Sequence, residues 1–261
     1  MTPILARRLA RRALLLASVA LWSVGAAATG QPSGEAGATL RAQVKHVIDG
    51  DTVVLADSRH VRLIGINAPE LGKDGSADEP LAPQARAQLQ RLAAGESVIL
   101  VLGRETQDRY GRLLAHISLE DGRNVQEALL ERGLAVVVAI PPNLGRVQVY
   151  HAAERRARLS GRGIWGNPHY APKPAEGLRR ADTGFRFVSG RVRKTWRSNR
   201  YVHPVLAAGV DVLIARNDLR YFPVQPGEYL GKRVVVRGWV THHRNTLHIR
   251  VHHPAMVSLV Q

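Results

Sequence analysis

V-I-D-G-D-T-V-V-L at 47–55 and H-V-R-L-I-G-I-N-A-P-E at 60–70 are the two stretches that decide how this chain folds. Both are rich in β-branched residues, and a short polar turn at 57–58 separates them, which predicts a hairpin or meander of strands. Asp49, Asp51, Asn67 and Glu70 stand at or near the ends of the apolar runs, and Arg62 lies within the second run. Strand ends hold side chains firmly and leave them open to solvent. Acidic oxygens, an amide and an arginine gathered there suit a divalent cation together with a phosphate.

The net charge of the chain limits the kinds of partner that it is expected to bind. The 261 residues carry a formal net charge of +16 and a pI near 11.2. A surface this basic attracts polyanions, so nucleic acid, anionic lipid and acidic polysaccharide are candidates, with plain solubility charge as the alternative. The chain contains no cysteine, which excludes a disulfide framework and a thiolate metal site.

Residues 1–28 have the pattern of a secretory signal peptide. Arg7, Arg8, Arg11 and Arg12 form a positive region, residues 13–24 are apolar, and alanines at 26–28 resemble a cleavage site. We therefore expect an exported protein, periplasmic or secreted, without stable membrane association after cleavage; an uncleaved N-terminal anchor is the alternative. Residues 29–40 are rich in Gly, Ala and Ser and are predicted to form a flexible linker.

Residues 41–166 are predicted to form one domain. Strand patterns lie at 43–48, 52–56, 60–66, 97–102 and 113–119. Helical patterns begin at Pro83, Val125 and Val147, and a glycine follows the end of each. Short strands with helices between and after them favour a mainly β, α+β class, namely a small barrel with about three packed helices.

A Pro-rich stretch at 167–183 is predicted to link this domain to a second one at 184–261. Strand patterns at 185–192, 201–206, 210–214, 233–240 and 247–251 predict a second small β-barrel. Along the last of these, His248, Arg250 and His252 share one face, because side chains alternate along a strand.

The segment R-V-R-K-T-W-R-S-N-R-Y at 191–201 mixes bases with aromatics, which suits nucleic acid. Arg193 and Trp196 are therefore candidate substrate-binding residues. A purely structural add-on is the main alternative for this domain, and a histidine metal site is a third reading.

A further motif, D-R-Y-G-R at 108–112, completes a set of three with D-G-D-T at 49–52 and R-L-I-G-I-N-A-P-E at 62–70. In this order and spacing, the motifs resemble those of the staphylococcal nuclease (thermonuclease) family over about 43–166. A-P-Q-A at 82–85, E-A-L-L-E-R-G-L-A at 127–135 and G-I-W-G at 163–166 support the resemblance. It implies an OB-fold, five-stranded catalytic barrel; the second domain resembles an OB-like barrel much more weakly.

The resemblance implies one divalent cation, Ca²⁺ in this family. Asp51 would bind it through its carboxylate, Asn67 through its amide oxygen and Ala68 through its backbone carbonyl. Asn67 departs from the family, which usually has an aspartate there. Exchanging a carboxylate for an amide keeps an oxygen ligand and removes a negative charge, so we expect weaker metal binding.

The resemblance also implies a reaction, the hydrolysis of phosphodiester bonds in DNA and RNA that leaves the phosphate on the 3′ side. Glu70 would activate the attacking water, Arg62 and Arg112 would hold the scissile phosphate, and Tyr110 would lie beside the nucleotide. Arginines suit this role because they stay charged and donate paired hydrogen bonds. A second departure is A-I-P at 139–141, where the family often has aromatics that contact the nucleotide.

Each of these residues has a plainer reading. Asp49 can simply cap its turn, Arg62 and Arg112 can form surface salt bridges, and Tyr110 can pack. The expected function is an exported, Ca²⁺-dependent nuclease. Its rivals are an inactive nucleic-acid-binding protein on the same fold, which Asn67 favours, and an envelope protein that binds anionic polymer or lipid.

Overall fold

The structure, a computed structural model, describes residues 37–72 and 74–260. The predicted signal peptide at 1–28 and most of the predicted linker at 29–40 lie outside these residues. Strand β1 (Thr39–Val47) begins inside that predicted linker, because Thr39 and Leu40 already pair with Val101 and Leu100. The boundary between linker and barrel therefore moves toward the N-terminus.

The first part of the described chain alternates short strands with three helices. After β1 these are β2 (Thr52–Leu55), β3 (His60–Leu63), β4 (Ile66–Asn67), α1 (Ala82–Ala93), β5 (Ser97–Gln107), β6 (Leu113–Leu119), α2 (Val125–Glu131), β7 (Val136–Val137) and α3 (Val147–Leu159).

Five of these strands close into a barrel in the order β1-β2-β3-β6-β5. Neighbouring strands are antiparallel, except that β3 and β6 run parallel. Apolar side chains such as Val53, Leu63, Leu100 and Ile117 are buried in its core. The predicted α+β class, with a five-stranded barrel and three helices, is confirmed.

The strand predicted over 60–66 is in fact two strands. Gly65 has φ +84°, and a Cβ there would lie 2.6 Å from the ring of Tyr150, so the position requires glycine. The chain leaves the barrel at this turn, and Ile66 and Asn67 pair with Val137 and Val136 in a separate two-stranded ribbon. This ribbon carries Asn67 away from the barrel sheet.

The helix ends follow ordinary local rules. Asn124 precedes α2, and its side-chain oxygen accepts a hydrogen bond from the Glu127 amide at 3.0 Å. Pro83 lies in the first turn of α1, where a missing N–H costs nothing. Gly95 follows that helix with φ +78°, a backbone conformation that suits glycine.

The rest of the described chain forms one eight-stranded sheet. Its strands are β8 (Lys173–Pro174), β9 (Gly184–Arg191), β10 (Lys194–Arg197), β11 (Tyr201–Ala207), β12 (Val210–Ala215), β13 (Arg233–His243), β14 (Thr246–Val251) and β15 (Val257–Val260). Short 3₁₀ helices lie at Gly163–Gly166, Pro168–Tyr170, Ala175–Gly177, Arg216–Tyr221, Pro226–Tyr229 and Pro254–Met256.

The sheet runs in the order β10-β11-β12-β14-β13-β9-β8, and β15 pairs with β13. We call this unit the half-barrel. The long β13 pairs with β9 along one side, and with β14 and β15 at opposite ends of the other. A second β unit is thus present where a small β-barrel was predicted, as an eight-stranded sheet in the form of a half-barrel. The stretch at 167–183, predicted as a linker, is instead built into it, because Lys173 and Pro174 pair with Val188 and Ser189.

A buried ion pair joins the half-barrel to α3. Arg237 on β13 and Glu154 on α3 are 4% and 2% exposed, and their Nη1 and Oε1 atoms are 2.5 Å apart. The same Oε1 accepts a hydrogen bond from the backbone amide of Val137 at 2.7 Å. The guanidinium carbon of Arg237 lies 5.8 Å from the centre of the Trp165 ring and 5.7 Å from that of Phe187. The two units therefore share a buried, charged junction.

Among the described residues, no helix is long and apolar enough to cross a membrane.

Candidate active site

The D-G-D-T turn between β1 and β2 places Asp51 inside the protein. Asp49 accepts a hydrogen bond from the Asp51 amide at 3.0 Å, so it caps the turn. Gly50 is required between them, because a Cβ there would lie 2.5 Å from that of Ala68. Asp51 is 4% exposed, and its Oδ2 accepts a hydrogen bond from the Ala68 amide at 2.9 Å. The turn and the loop after β4 are thereby locked together.

Arg62 faces this carboxylate. Its Nη2 is 2.9 Å from Asp51 Oδ2 and 3.4 Å from Asn67 Oδ1. Its guanidinium also donates to the carbonyls of Leu63 and Ile66, at 2.5 and 3.1 Å. The plainer reading of a surface salt bridge does not fit, because Arg62 is held beside a buried acid at the edge of the barrel.

The three predicted metal ligands come together around that arginine. Asp51 and Asn67 contact the same guanidinium nitrogen, and Asn67 Nδ2 donates to the Ala68 carbonyl at 3.2 Å. All the donor atoms are oxygens, which suits a hard cation such as Ca²⁺. The set holds a single carboxylate, and no group of three His, Cys, Asp or Glu side chains suited to a metal occurs among the described residues. The residues therefore fit a weakly held cation.

The electrostatic surroundings of Asp51 also favour a bound cation. Burial raises its pKa to about 7, Arg62 opposes that rise, and the charges of Asp49 and Glu70 add to it. Arg62 thus neutralises the buried carboxylate incompletely. A bound cation would offset the remaining cost of keeping this acid ionised.

We define Asp49, Asp51 and Glu70 as the acidic cluster. Glu70 is its exposed member. Its side chain is exposed, and it is close enough to Asp51 to raise the pKa of that acid. Its backbone amide donates to Glu79 Oε2 at 3.0 Å, and its carbonyl accepts from the Glu79 amide at 2.9 Å. The other carboxylate oxygen of Glu79 pairs with Arg186 of the half-barrel at 3.3 Å. The backbone of Glu70 is fixed while its carboxylate reaches solvent.

The D-R-Y-G-R loop between β5 and β6 presents the second arginine. Asp108 accepts hydrogen bonds from the amides of Tyr110 and Arg112, at 2.9 and 3.0 Å, and from Arg112 Nε at 2.7 Å. Burial alone would raise the pKa of Asp108, but these hydrogen bonds and the charge of Arg112 hold it below its usual value. The side-chain bond uses Nε, so it leaves the two terminal amino groups of Arg112 outside it.

Tyr110 projects from the same loop. It is 68% exposed, and the guanidinium carbons of Arg109 and Arg112 lie 4.7 and 5.6 Å from its ring centre. Core packing therefore does not explain this tyrosine. Arg109, which the motif analysis passed over, is marked only by its place inside the loop.

These side chains border one groove of about 590 Å³. Arg62, Arg109, Tyr110 and Arg112 line it from the barrel side. Its other lining side chains include Ile140, Glu105 and Asp108 from the first part of the chain, and Trp239, Arg250 and His252 from the half-barrel. We call this space the groove. Arg62 connects it to the acidic cluster, since that residue both lines the groove and contacts Asp51.

Arg193 and Trp196 lie elsewhere and do not line the groove. Arg193 Nη2 is 2.8 Å from Glu176 Oε1, so its charge is paired. Trp196 is 40% exposed, and its ring stacks on His203 with centroids 3.6 Å apart. For these two residues to bind substrate as predicted, the nucleic acid would have to extend beyond the groove.

The closed five-stranded barrel, with an acidic cluster and two arginines at its edge, places the protein in the OB-fold class. Comparison with known proteins gives its family. The family model described as staphylococcal nuclease homologue matches residues 60–167. The thermonuclease of Staphylococcus intermedius is 34% identical over 126 residues, which cover 47% of this chain and 74% of that protein.

Further relatives agree. The thermonuclease of Staphylococcus hyicus is 30% identical, covering 48% of this chain and 75% of the relative. Endonuclease YncB of Bacillus subtilis is 32% identical, covering 47% and 60%. The chain belongs to the staphylococcal nuclease family. The match to the family model ends at residue 167, before β8, so the half-barrel lies outside it.

Proposed function

We propose that the chain is an exported, Ca²⁺-dependent nuclease that hydrolyses phosphodiester bonds in DNA and RNA and leaves 3′-phosphate ends. The observation that carries this proposal is the shared edge at which Arg62 joins the acidic cluster to a groove that also holds Arg112. A protein that only binds nucleic acid has no need of a buried Asp51 against Arg62, or of a fixed Glu70 near Asp51. The thermonucleases and endonucleases among its relatives support the same proposal.

In this proposal each residue has one task. Arg112 donates to the scissile phosphate through its terminal amino groups, while Asp108 fixes the guanidinium through Nε. Arg62, held in place by Asp51 and by the Leu63 and Ile66 carbonyls, donates to a second phosphate oxygen through the N–H groups that these contacts leave unused. Glu70 accepts a proton from the attacking water, whose oxygen bonds to phosphorus. The bond from phosphorus to the 5′ oxygen breaks, and that oxygen takes a proton from solvent water.

Asp51, Asn67 and Ala68 would hold the cation. When bound, a hard cation polarises a phosphoryl oxygen and acidifies water. The amide at 67 lowers the negative charge of the ligand set, so we expect weak binding that the calcium concentrations outside cells, near 10⁻³ M, still satisfy.

The test is cleavage of single-stranded DNA and RNA by the full chain in millimolar calcium, with and without chelator. Glu70→Gln and Arg112→Ala should both lose activity. Glu120→Gln and Arg123→Ala are matched controls, and Arg123 in particular repeats the Arg112 geometry, with Nε 2.7 Å from Asp121 Oδ2. Salt-dependent binding without cleavage in calcium, magnesium or manganese would overturn the nuclease proposal and leave the inactive binding protein.

A further inference from the structure

The groove is built by two parts of the chain, and only one of them matches the family. Arg109, Tyr110 and Arg112 line it from the barrel, whereas Trp239 and Arg250 come from β13 and β14 of the half-barrel. The half-barrel therefore supplies part of the wall beside the candidate active site.

Arg250 is a free positive charge on a rigid strand. β14 is hydrogen-bonded to β12 on one side and β13 on the other, and Ile249 and Val251 beside Arg250 are buried. Arg250 itself is exposed, and within residues 37–72 and 74–260 it forms no salt bridge. Its guanidinium carbon lies 5.8 Å from the Tyr201 ring centre. A fixed, unpaired guanidinium in a groove suits a phosphate.

Trp239 adds an aromatic surface to the same wall. Its ring meets that of Phe185 edge to face, with centroids 5.2 Å apart, and the side chain is half-buried. On the barrel side, the position of the missing family aromatics is taken by Ile140, which is 41% exposed in the groove. Trp239 can therefore stack on a base that the barrel segment at 139–141 does not hold.

The charge of the groove favours an extended anion. Arg62 is paired with Asp51, and Arg112 with Asp108. Of the remaining charges in the groove, Arg109 and Arg250 outnumber Glu105. Aromatic faces interleaved with arginines are the usual means of binding single strands, because every unpaired base offers a π-face. A duplex keeps its bases stacked and offers no such face.

We propose that Trp239 and Arg250 form an additional nucleotide subsite for single-stranded DNA or RNA, in which Arg250 binds a phosphate next to the scissile one and Trp239 stacks on a base. The proposal rests on the proposed function, because it takes the groove as the substrate site. It gives the half-barrel a definite role in holding the substrate.

The experiment measures the binding of a labelled twelve-nucleotide single strand to the full chain over a series of salt concentrations. All proteins carry Glu70→Gln, so that the strand is not cleaved. Arg250→Ala should weaken binding about fivefold and lower the slope of log K against log salt by about 0.7, the value of one lost phosphate contact on a single strand. Arg250→Lys should keep the slope. Trp239→Phe, which keeps an aromatic ring against Phe185, should weaken binding less than Arg250→Ala and leave the slope unchanged.

Arg233→Ala is the matched control, since Arg233 is an exposed arginine on β13 that does not line the groove. An Arg250→Ala slope equal to that of Arg233→Ala would overturn the subsite. Equal losses on duplex DNA would overturn its single-strand character. Cleavage by the unmodified chain is assayed in parallel. Cleavage with a normal Arg250→Ala slope rejects the subsite alone, and a lowered slope without cleavage rejects the nuclease alone.

Discussion

The barrel and the half-barrel hold their functional side chains in different ways. In the barrel, each functional side chain is fixed by a hydrogen bond to a near neighbour. Asp51 accepts from the Ala68 amide, Arg62 donates to the Leu63 carbonyl, and Arg112 donates to Asp108. In the half-barrel, Trp239 and Arg250 are placed by strand pairing and by ring contacts with Phe185 and Tyr201. Bond cleavage needs groups aimed within fractions of an ångström, whereas holding a polymer tolerates looser placement. The difference teaches that groups placed for bond cleavage can be recognised as a short sequence motif, whereas groups that hold a substrate can be recognised only on the folded surface.

Cutting the junction between the two regions should have the largest effect. Arg237→Ala leaves Glu154 buried and unpaired, so we expect a loss of about 3–5 kcal/mol in the free energy of unfolding. Denaturant titration measures it, with Arg233→Ala as the exposed control. A double replacement of both residues by apolar side chains should recover most of the loss. A small effect of Arg237→Ala would show that this ion pair does not stabilise the junction.

Within the barrel, Arg112→Lys tests fork geometry apart from charge. A lysine carries its three donors on a single nitrogen, so it cannot contact Asp108 at one point and present a planar pair of donors to the phosphate at another. We therefore expect the cleavage rate constant to fall about 100-fold. Circular dichroism should show an unchanged fold. If Arg112→Lys retained full activity, a single positive charge would be enough to bind the phosphate. The proposal that Asp108 orients the guanidinium for cleavage would then be wrong.

The acidic cluster provides a gain-of-function test. Asn67→Asp adds a carboxylate to a ligand set that has only one, and we expect calcium affinity to rise about tenfold. Isothermal titration of Asn67→Asp and the unmodified chain compares them directly, with Asn199→Asp, at an exposed turn of the half-barrel, as a control outside the cluster. Unchanged affinity would mean that position 67 does not face the cation.

Arg186 tests whether the half-barrel also positions the loop that carries Glu70, the proposed general base. Arg186→Ala releases Glu79, which binds the backbone of Glu70, so kcat should fall severalfold, and less than about tenfold, while KM stays within about twofold. Arg186→Lys should restore part of the loss. A rise in KM with normal kcat would make Arg186 a substrate contact instead of a positioning residue.

The barrel strands and the site motifs could be predicted from the sequence because both depend on patterns within short stretches of the chain. Asp51, Asn67 and Glu70 stand at strand ends that alternating apolar residues reveal. The edge strands β10 and β15 were missed, since K-T-W-R at 194–197 and V-S-L-V at 257–260 carry too little periodic pattern.

Other features depended on packing between distant segments. The break at Gly65 follows from the ring of Tyr150, which lies far along the chain. The place of Trp239 in the groove depends on how the half-barrel meets the barrel, which no local pattern encodes. The shared face of Arg250 and His252 was visible as strand alternation, but its direction toward the active site was not.

Single-turnover cleavage at saturating enzyme tests most directly the claim that the barrel cleaves and the half-barrel holds. It separates the rate constant of cleavage from the dissociation constant of a single-stranded substrate. Arg112→Ala should lower the rate constant about 100-fold or more. Arg250→Ala should act mainly on the dissociation constant, by about fivefold, with the rate constant within about threefold. Equal losses of the rate constant in both variants would contradict this division of labour.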